Sequence, residues 1–495
     1  MSQELELKLV IEPSRKSAVL ELCRQLAKQQ PEDCLSLANA YFDTDDLRLR
    51  QFDIGLRIRS QEDQKEQTVK LAGRVIGGLH ERPEYNVKID QKQPDLRLFD
   101  EQIWPEDFPL EDVQRELHCI FETDFTRHRW RIPSEQGVIE LVFDQGTIHA
   151  NDKQETICEV ELEVQGGSVQ QAFRMARQLI QKGAAQVGNL SKAARGYLLA
   201  DKSVLEPFTQ AHFVAVNQQD SIAQGLYRSL EYSLRHWQHN DACFNRHATV
   251  RAAAGIADGV QLCKVVLQQL ANLDIDVSEQ LLRIEEILSH FSWLQQYDAL
   301  TELTAEDGAY HRALKRYPAL YEQLESLQQQ VMQLSNTKTF CQTKGYQLAL
   351  LELGQLLIEQ PQVEAMQEPL PAWSTQLLKN DWQQVVDAFN KEDSLSVERY
   401  TKLRPSLLHS LRLGYCFGQL FDEEERETFR APWLDLARGI GEISALQQLR
   451  SWIKDHDELS REKLTNWQEV QRESLLLALE YSRKAALKKE PYWLH

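Results

Sequence analysis

Glu4, Glu6 and Lys8 stand two residues apart at the start of the chain, and Glu159, Glu161 and Glu163 repeat that spacing far downstream. Side chains two apart on a strand point the same way, so each triplet places its charges in one row. Two carboxylate rows facing each other would make a hard-oxygen site suited to Mg²⁺ or Mn²⁺. The same spacing joins Arg57 with Arg59, Thr68 with Lys70, Arg82 with Glu84, and Arg127 with Arg129 and Arg131, and twice that spacing keeps Glu140 and Asp144 on one face. Rows of Arg and Lys would hold phosphate oxygens, Arg through its planar fork and Lys as a point charge. A charged face on one strand is ordinarily the solvent side of a half-buried sheet. Clustering by sign argues otherwise here, because natural surfaces intersperse charges and like charges in a row repel unless a counter-ion lies between them. If the sheet closes with these faces inward, it forms a polar channel fit for a metal-bound polyphosphate.

The elements that must position these rows can be read from the periodicity. Up to about residue 200, period-two stretches predict strands at residues 4–11, 55–59, 67–71, 82–89, 125–132, 138–144 and 158–164. Their second faces are apolar: Leu56 with Ile58, Ile139 with Leu141 and Phe143, Val160 with Leu162 and Val164. Gly73, Gly77 and Gly78 mark a turn, and residues 14–29 and 169–182 read as helices. After about residue 218 apolar residues recur three and four apart, as at Leu281, Ile284, Leu288 and Phe291, and residues 348–359 and 472–489 also read as helices. The expected organisation is an α+β domain over residues 1–202, a linker over 203–217 and an all-α helical bundle over 218–495. Asp220 or Ser221 is the expected cap of the first bundle helix. No 20 to 50 residue repeat can be aligned in the helical half, so a solenoid is not supported.

Composition narrows the function classes. The chain has 495 residues, 42% hydrophobic and 26% charged, which suits several folded domains and excludes disorder or a collagen-like fibre. Its net charge of -19 argues against nucleic acid as a partner of the general surface. The longest apolar run, residues 475–479, falls far short of a membrane span, and the first residues lack a secretory pattern. A cytoplasmic location is expected. Eight cysteines without a C-x-x-C read as free thiols.

Taken together, Glu4-x-Glu6-x-Lys8, Gly55-Leu56-Arg57-Ile58-Arg59, Thr68-Val69-Lys70, Glu159-x-Glu161-x-Glu163 and Ser191-Lys192-Ala193-Ala194-Arg195-Gly196-Tyr197 resemble the CYTH superfamily, the triphosphate tunnel metalloenzymes, over residues 1 to about 200. The stretch from Gly73 to Asn86 and the ending Glu490-Pro491-Tyr492-Trp493-Leu494-His495 are similar to a bacterial two-domain branch, in which an inorganic triphosphatase precedes a helical CHAD domain. The resemblance implies an antiparallel eight-stranded tunnel barrel with flanking helices. It implies hydrolysis of inorganic triphosphate to pyrophosphate and phosphate, with Mg²⁺ or Mn²⁺ as cofactor. Carried over by position, Glu4, Glu6, Asp144, Glu159, Glu161 and Glu163 would hold metal. Lys8, Arg57, Arg59, Lys70, Arg82, Arg127, Arg129, Lys192 and Arg195 would contact phosphates, with Glu4, Glu6, Lys8 and Arg59 the catalytic set.

Typical CHAD helices are rich in histidine and arginine and bind polyphosphate, so the resemblance implies polyphosphate as a partner of the helical half, but the few basic residues there depart from that pattern and the expected binding is weak and salt-sensitive. Residues 221–270 carry Arg228, Arg235, Arg246, Arg251 and Lys264, with His236, His239 and His247. Alternatives on the same fold are thiamine triphosphatase and class IV adenylate cyclase; from another class, a non-catalytic polyphosphate-binding module. The last predicts loss of the carboxylate rows, which are present. No Cys or Ser constellation, P-loop or G-x-G-x-x-G points to other phosphoryl chemistry. The helical half, with no clustered carboxylates, is expected to be a separately folded accessory domain.

Overall fold

Alternation of charged and aliphatic residues gives the first 200 residues a sheet with two unlike faces, and closure decides which face meets water. In the computed structural model of the chain, residues 2–134, 137–166, 168–453 and 458–494 are described. The strands are β1 (Ser2–Val10), β2 (Asp33–Asp43), β3 (Gly55–Gln61), β4 (Gln64–Lys70), β5 (Arg74–Ile76), β6 (Leu79–Ile89), β7 (His118–Ser134), β8 (Gly137–Ala150), β9 (Lys153–Gln165) and β10 (Gln186–Val187). Hydrogen bonding runs in the order β1, β9, β8, β7, β2, β3, β4, β6, and β6 pairs back onto β1. The result is a closed antiparallel barrel of eight strands, with no free edge among them.

Closure places β1 between two partners. Glu4 lies opposite Arg82 and Glu6 opposite His80 on β6; Glu6 lies opposite Glu163 and Lys8 opposite Glu161 on β9. The aliphatic residues between them point outward: Leu7, Leu9, Val160 and Leu162 are fully buried beneath the helix Val169–Gly183, which packs on β1 and β9. That helix presents Ala172, Phe173, Ala176, Leu179 and Ile180 to the core. Each such aliphatic side chain contributes about 1.5–3 kcal/mol on burial, and this fixes the register that turns the charges inward.

β2 is absent from the strands that periodicity predicts. Its centre is Ala38-Asn39-Ala40, poor strand formers by propensity, yet it pairs along β7 and β3. Tertiary pairing overrides local preference and supplies the eighth strand.

The chain divides into two compact units: residues up to Pro207 together with Phe340–Glu359, and Phe208–Thr339 together with the residues from Gln360 onward. The helix Lys344–Glu359, which its spacing puts with the helical half, thus clusters with the barrel. Residues 203–217 form no helix or strand. The second unit has no strand among its described residues. It opens with the helices Ile222–Arg246 and Val250–Asn272, the first begun by a capping box in which Ser221 and Gln224 each satisfy the other's backbone N–H. Leu300, Leu303, Leu314, Leu320, Leu324, Leu446 and Leu449 form one of its cores. No described helix is long and apolar enough to cross a membrane. All eight cysteines are free thiols.

Candidate active site

The barrel encloses a cavity of about 470 Å³. Its wall is built from β1 (Glu4, Glu6, Lys8), β3 (Arg57, Arg59), β4 (Thr68, Lys70), β6 (Arg82, Glu84), β7 (Arg127) and β9 (Glu161, Glu163), and Lys192 enters from the start of the helix Lys192–Leu199. The rows that alternation sets on separate strands are therefore neighbours across one space.

One wall is a compensated ionic network. Lys8 Nζ lies 3.1 Å from Glu159 Oε1 and is bonded to Glu161. Lys192 Nζ lies 2.7 Å from Asp144 and 2.9 Å from Glu161, and also contacts Glu159. Arg127 grips Asp144 with both arms, at 2.8 and 2.7 Å, and reaches Glu161 at 2.9 Å. Arg195 binds Glu155 at 2.6 Å and Glu159 at 3.1 Å from behind. Asp144 and Glu159 are wholly buried and Lys8 is 2% exposed. Burial would raise Asp144, but Arg127 and Lys192 hold its carboxyl below the usual range. Burial would likewise lower Lys8, but Glu159, Glu161 and Glu6 hold it well above an ordinary lysine. Asp144, Glu159 and Glu161 bring carboxylate oxygens within 4.8 Å of one another, but four cations already neutralise them.

The carboxylates of the neighbouring stretch are less well matched. Glu163 accepts from Gln165 Nε2 at 3.1 Å and meets no Lys or Arg at ion-pair distance among the described residues. Burial, with the nearby charges of Glu140, Glu4 and Glu6, pushes it up to about 7. Glu4 is also raised, by burial first, although Lys70 lies 2.5 Å away. Lys70 is shared with Glu84 at 2.9 Å. Burial and Glu161 would raise Glu6, but Lys8, 3.5 Å away, together with His80 and Lys70 holds its carboxyl below the usual range. Glu4, Glu6 and Glu163 thus bring carboxylate oxygens to one stretch of the cavity wall, the donor type a hard divalent cation takes.

Across the cavity the imbalance reverses. Arg59 is bonded to the neutral Asn39 side chain, and burial together with Arg57 and Arg127 lowers its guanidinium to about 10. Arg57 is 3.7 Å from Glu84 and its buried Nε has no acceptor. Burial would lower Arg57, but Tyr41, Glu84 and Glu4 hold its guanidinium above the usual value, so of the two it is Arg59 that lines the cavity without a carboxylate at ion-pair distance among the described residues.

Two expected phosphate contacts lie elsewhere. Arg129 does not line the cavity; its side chain is partly exposed and bonded to Asp33 at 2.7 Å. β7 runs on past the enclosed stretch, so the arginine row leaves the barrel after Arg127. Arg195 stands behind Glu159 instead of on the wall. The residues that the assignment of roles passed over are Tyr41 and Asn39 on the unrecognised β2, Glu84, and His80, which is buried with its ring held to the Gly188 carbonyl at 3.1 Å. Glu84 carries a legible signal, its shared face with Arg82; Asn39 has none, since an isolated Asn between alanines reads as a turn.

In the helical unit several basic residues are already paired: Arg228 with Asp220, Lys264 with Glu285 and Arg412 with Asp258.

Residues 2–197 match the CYTH domain family. An inorganic triphosphatase of Haemophilus influenzae is 38% identical over 208 residues, which is 41% of this chain and 57% of that protein. The chain therefore spans little more than half the length of that curated relative. Among solved structures, a Hippeastrum protein described as an adenylyl cyclase with dominant triphosphatase activity covers 39% of this chain and 95% of its own, at 18% identity and a TM-score of 0.32. The CHAD domain of Ricinus communis covers 58% of this chain and 98% of its own, at 14% identity and a TM-score of 0.45. The match to the CYTH domain family and the closed barrel with its inward charges fall on the same stretch of sequence, residues 2–197.

Proposed function

We propose that this chain hydrolyses inorganic triphosphate to pyrophosphate and phosphate inside the barrel, with Mg²⁺ or Mn²⁺. The observation that carries the reading is the opposition, within one cavity, of an arginine group whose Arg59 has no carboxylate partner and a carboxylate group whose Glu163 has no cation partner among the described residues. A polyanion satisfies the first group and a divalent cation the second. The name of the Haemophilus relative supports the choice of triphosphate.

In this reading Arg57, Arg59, Arg127 and Lys70 orient the phosphates, while Lys8 and Lys192 hold the compensated wall and add positive charge beside them. Arg82, on the wall 4.0 Å from Glu4, would add a further phosphate contact. Glu4, Glu6 and Glu163, with Glu161 beside them, would hold the metal; Asp144 and Glu159 act behind, fixing Arg127, Lys8 and Lys192. A bound divalent ion supplies charge neutralisation and a more acidic water. The protein's share is positioning and preorganised charge, because phosphoryl transfer needs little covalent help. The decisive experiment incubates the purified full chain with tripolyphosphate, ATP or thiamine triphosphate, with Mg²⁺, Mn²⁺ or EDTA. Tripolyphosphate is expected to be the best substrate and EDTA to stop phosphate release; undiminished release in EDTA sinks the reading.

A further inference from the structure

The helix Lys344–Glu359 touches none of the cavity, yet it belongs to the barrel's compact unit although the chain on either side of Phe340–Glu359 belongs to the other. It packs on the helix Val169–Gly183 and on β10, and three ties are specific. Gln347 Oε1 accepts from the Val187 backbone N–H at 2.7 Å, while Gln347 Nε2 donates to the Cys341 carbonyl at 2.6 Å and so fixes the amide's orientation. Arg177 pairs with Glu352. Gly354 meets Gly77 backbone to backbone: a Cβ on Gly354 would lie 2.8 Å from the Gly77 Cα, closer than real side chains come.

The two segments held in this way are the ones that hold Lys8. The Lys8 N–H donates to the Gly78 carbonyl at 2.9 Å, and the Lys8 carbonyl accepts from Gly188 N–H at 2.9 Å. Gly77 and Gly78 both have positive φ, 56° and 80°, so their turn tolerates little substitution. His80 Nε2, which must carry the proton because a carbonyl only accepts, closes the frame by donating to Gly188 O at 3.1 Å. Gly188 also presses on the side chain, since a Cβ there would come 2.9 Å from Lys8 Cγ. Both peptide groups of Lys8 are therefore clamped by segments whose outer sides rest on one helix.

We infer that Gln347 and Gly354 are positioning residues for Lys8: through Val187–Gly188 and Gly77–Gly78 they set where the Lys8 ammonium sits against Glu159 and Glu161, and so couple the tunnel to a helix supplied by the C-terminal half of the sequence. The inference rests on the reading of Lys8 as part of a triphosphate site. It differs from the expectation of a separately folded accessory domain over residues 218–495.

The test uses the full chain carrying Gly354→Val or, more gently, Gln347→Met, each alone and combined with Lys8→Met. Sub-ångström misplacement in a preorganised site is costly, so each single variant is expected to lower kcat/KM for tripolyphosphate with Mg²⁺ by roughly ten-fold or more. In the Lys8→Met background the further loss should stay below about two-fold, because residues acting through one group are not additive. Full additivity, or unchanged kinetics in both single variants, overturns the inference. Hydrogen exchange separates this from failure of the triphosphate reading. If the unaltered chain turns over no tripolyphosphate, the proposed function falls, and the inference is then judged on the amides of Lys8 and Gly188. Faster exchange there in Gly354→Val and Gln347→Met, with β3 and β4 unchanged, supports the coupling; unchanged or uniformly faster exchange overturns it.

Discussion

Arg59 donates its Nε–H to the Asn39 side-chain oxygen at 3.0 Å, a neutral partner for a cation buried in the barrel. No carboxylate stands at ion-pair distance from it among the described residues, whereas Lys8, Lys192 and Arg127 in the same cavity are saturated with them. A cation left short of negative charge in the folded state is held ready for an anion that arrives later.

Arg59→Ala is therefore expected to cut kcat/KM for tripolyphosphate by about 10²–10³, the usual cost of one preorganised charge contact. The folded protein should be no less stable, since an uncompensated buried charge is removed. Steady-state kinetics beside thermal unfolding check this; kinetics unchanged within two-fold would place Arg59 outside the reaction.

Lys192→Met should behave oppositely. It leaves Asp144, Glu159 and Glu161 sharing too few cations, and stripping one partner from a buried network costs about 3–5 kcal/mol. Denaturant unfolding of the barrel should show the loss, and adding Glu161→Gln should recover part of the stability without recovering turnover. An unchanged midpoint in the single variant would mean that water screens this wall.

Glu163 makes metal-free stability depend on pH. Its folded value near 7 lies above the 4.5 of an ordinary glutamate, so its protonated form favours the folded state. That contribution is fully present below pH 4.5 and is lost as pH rises through about 7. In EDTA the barrel should melt lower at pH 8 than at pH 5, and Mg²⁺ should restore most of the difference at pH 8. In Glu163→Gln the slope should flatten and Mn²⁺ binding, followed by calorimetry, should weaken by about ten-fold or more, as for loss of a ligand or its support.

On the acid side the sign reverses. Burial would raise Glu84, but Lys70 and Arg57 hold it at about 2, and Glu161, opposed to burial by Lys192, Lys8 and Arg127, is also lowered. Their stabilisation is complete above pH 4.5 and fades as pH falls towards 2. Melting temperature should drop steadily over that interval, and Glu84→Gln should remove part of the drop.

The charge rows were legible because a strand's period is two: Glu4, Glu6 and Lys8 share a face whatever lies beside them, and the aliphatic residues between them dictate that this face opposes the core. Alternation could not say how far along each strand the barrel stays closed, which is why Arg127 faces the cavity and Arg129, on the same row, meets Asp33. Nor could it reveal β2, whose Ala38-Asn39-Ala40 centre becomes a strand only through pairing with β3 and β7. Charge balance is likewise a property of three dimensions. The six carboxylates read as one set of metal ligands divide into a neutralised wall of Asp144, Glu159 and Glu161 and a second group of Glu4, Glu6 and Glu163, because Lys192 and Lys8, from opposite ends of the domain's sequence, converge on Glu159 and Glu161. The helix Lys344–Glu359 shows the same limit. Its periodicity fixed that it is a helix, but only close packing of Gly354 on Gly77, two glycines far apart in sequence, decided that it stands with the barrel.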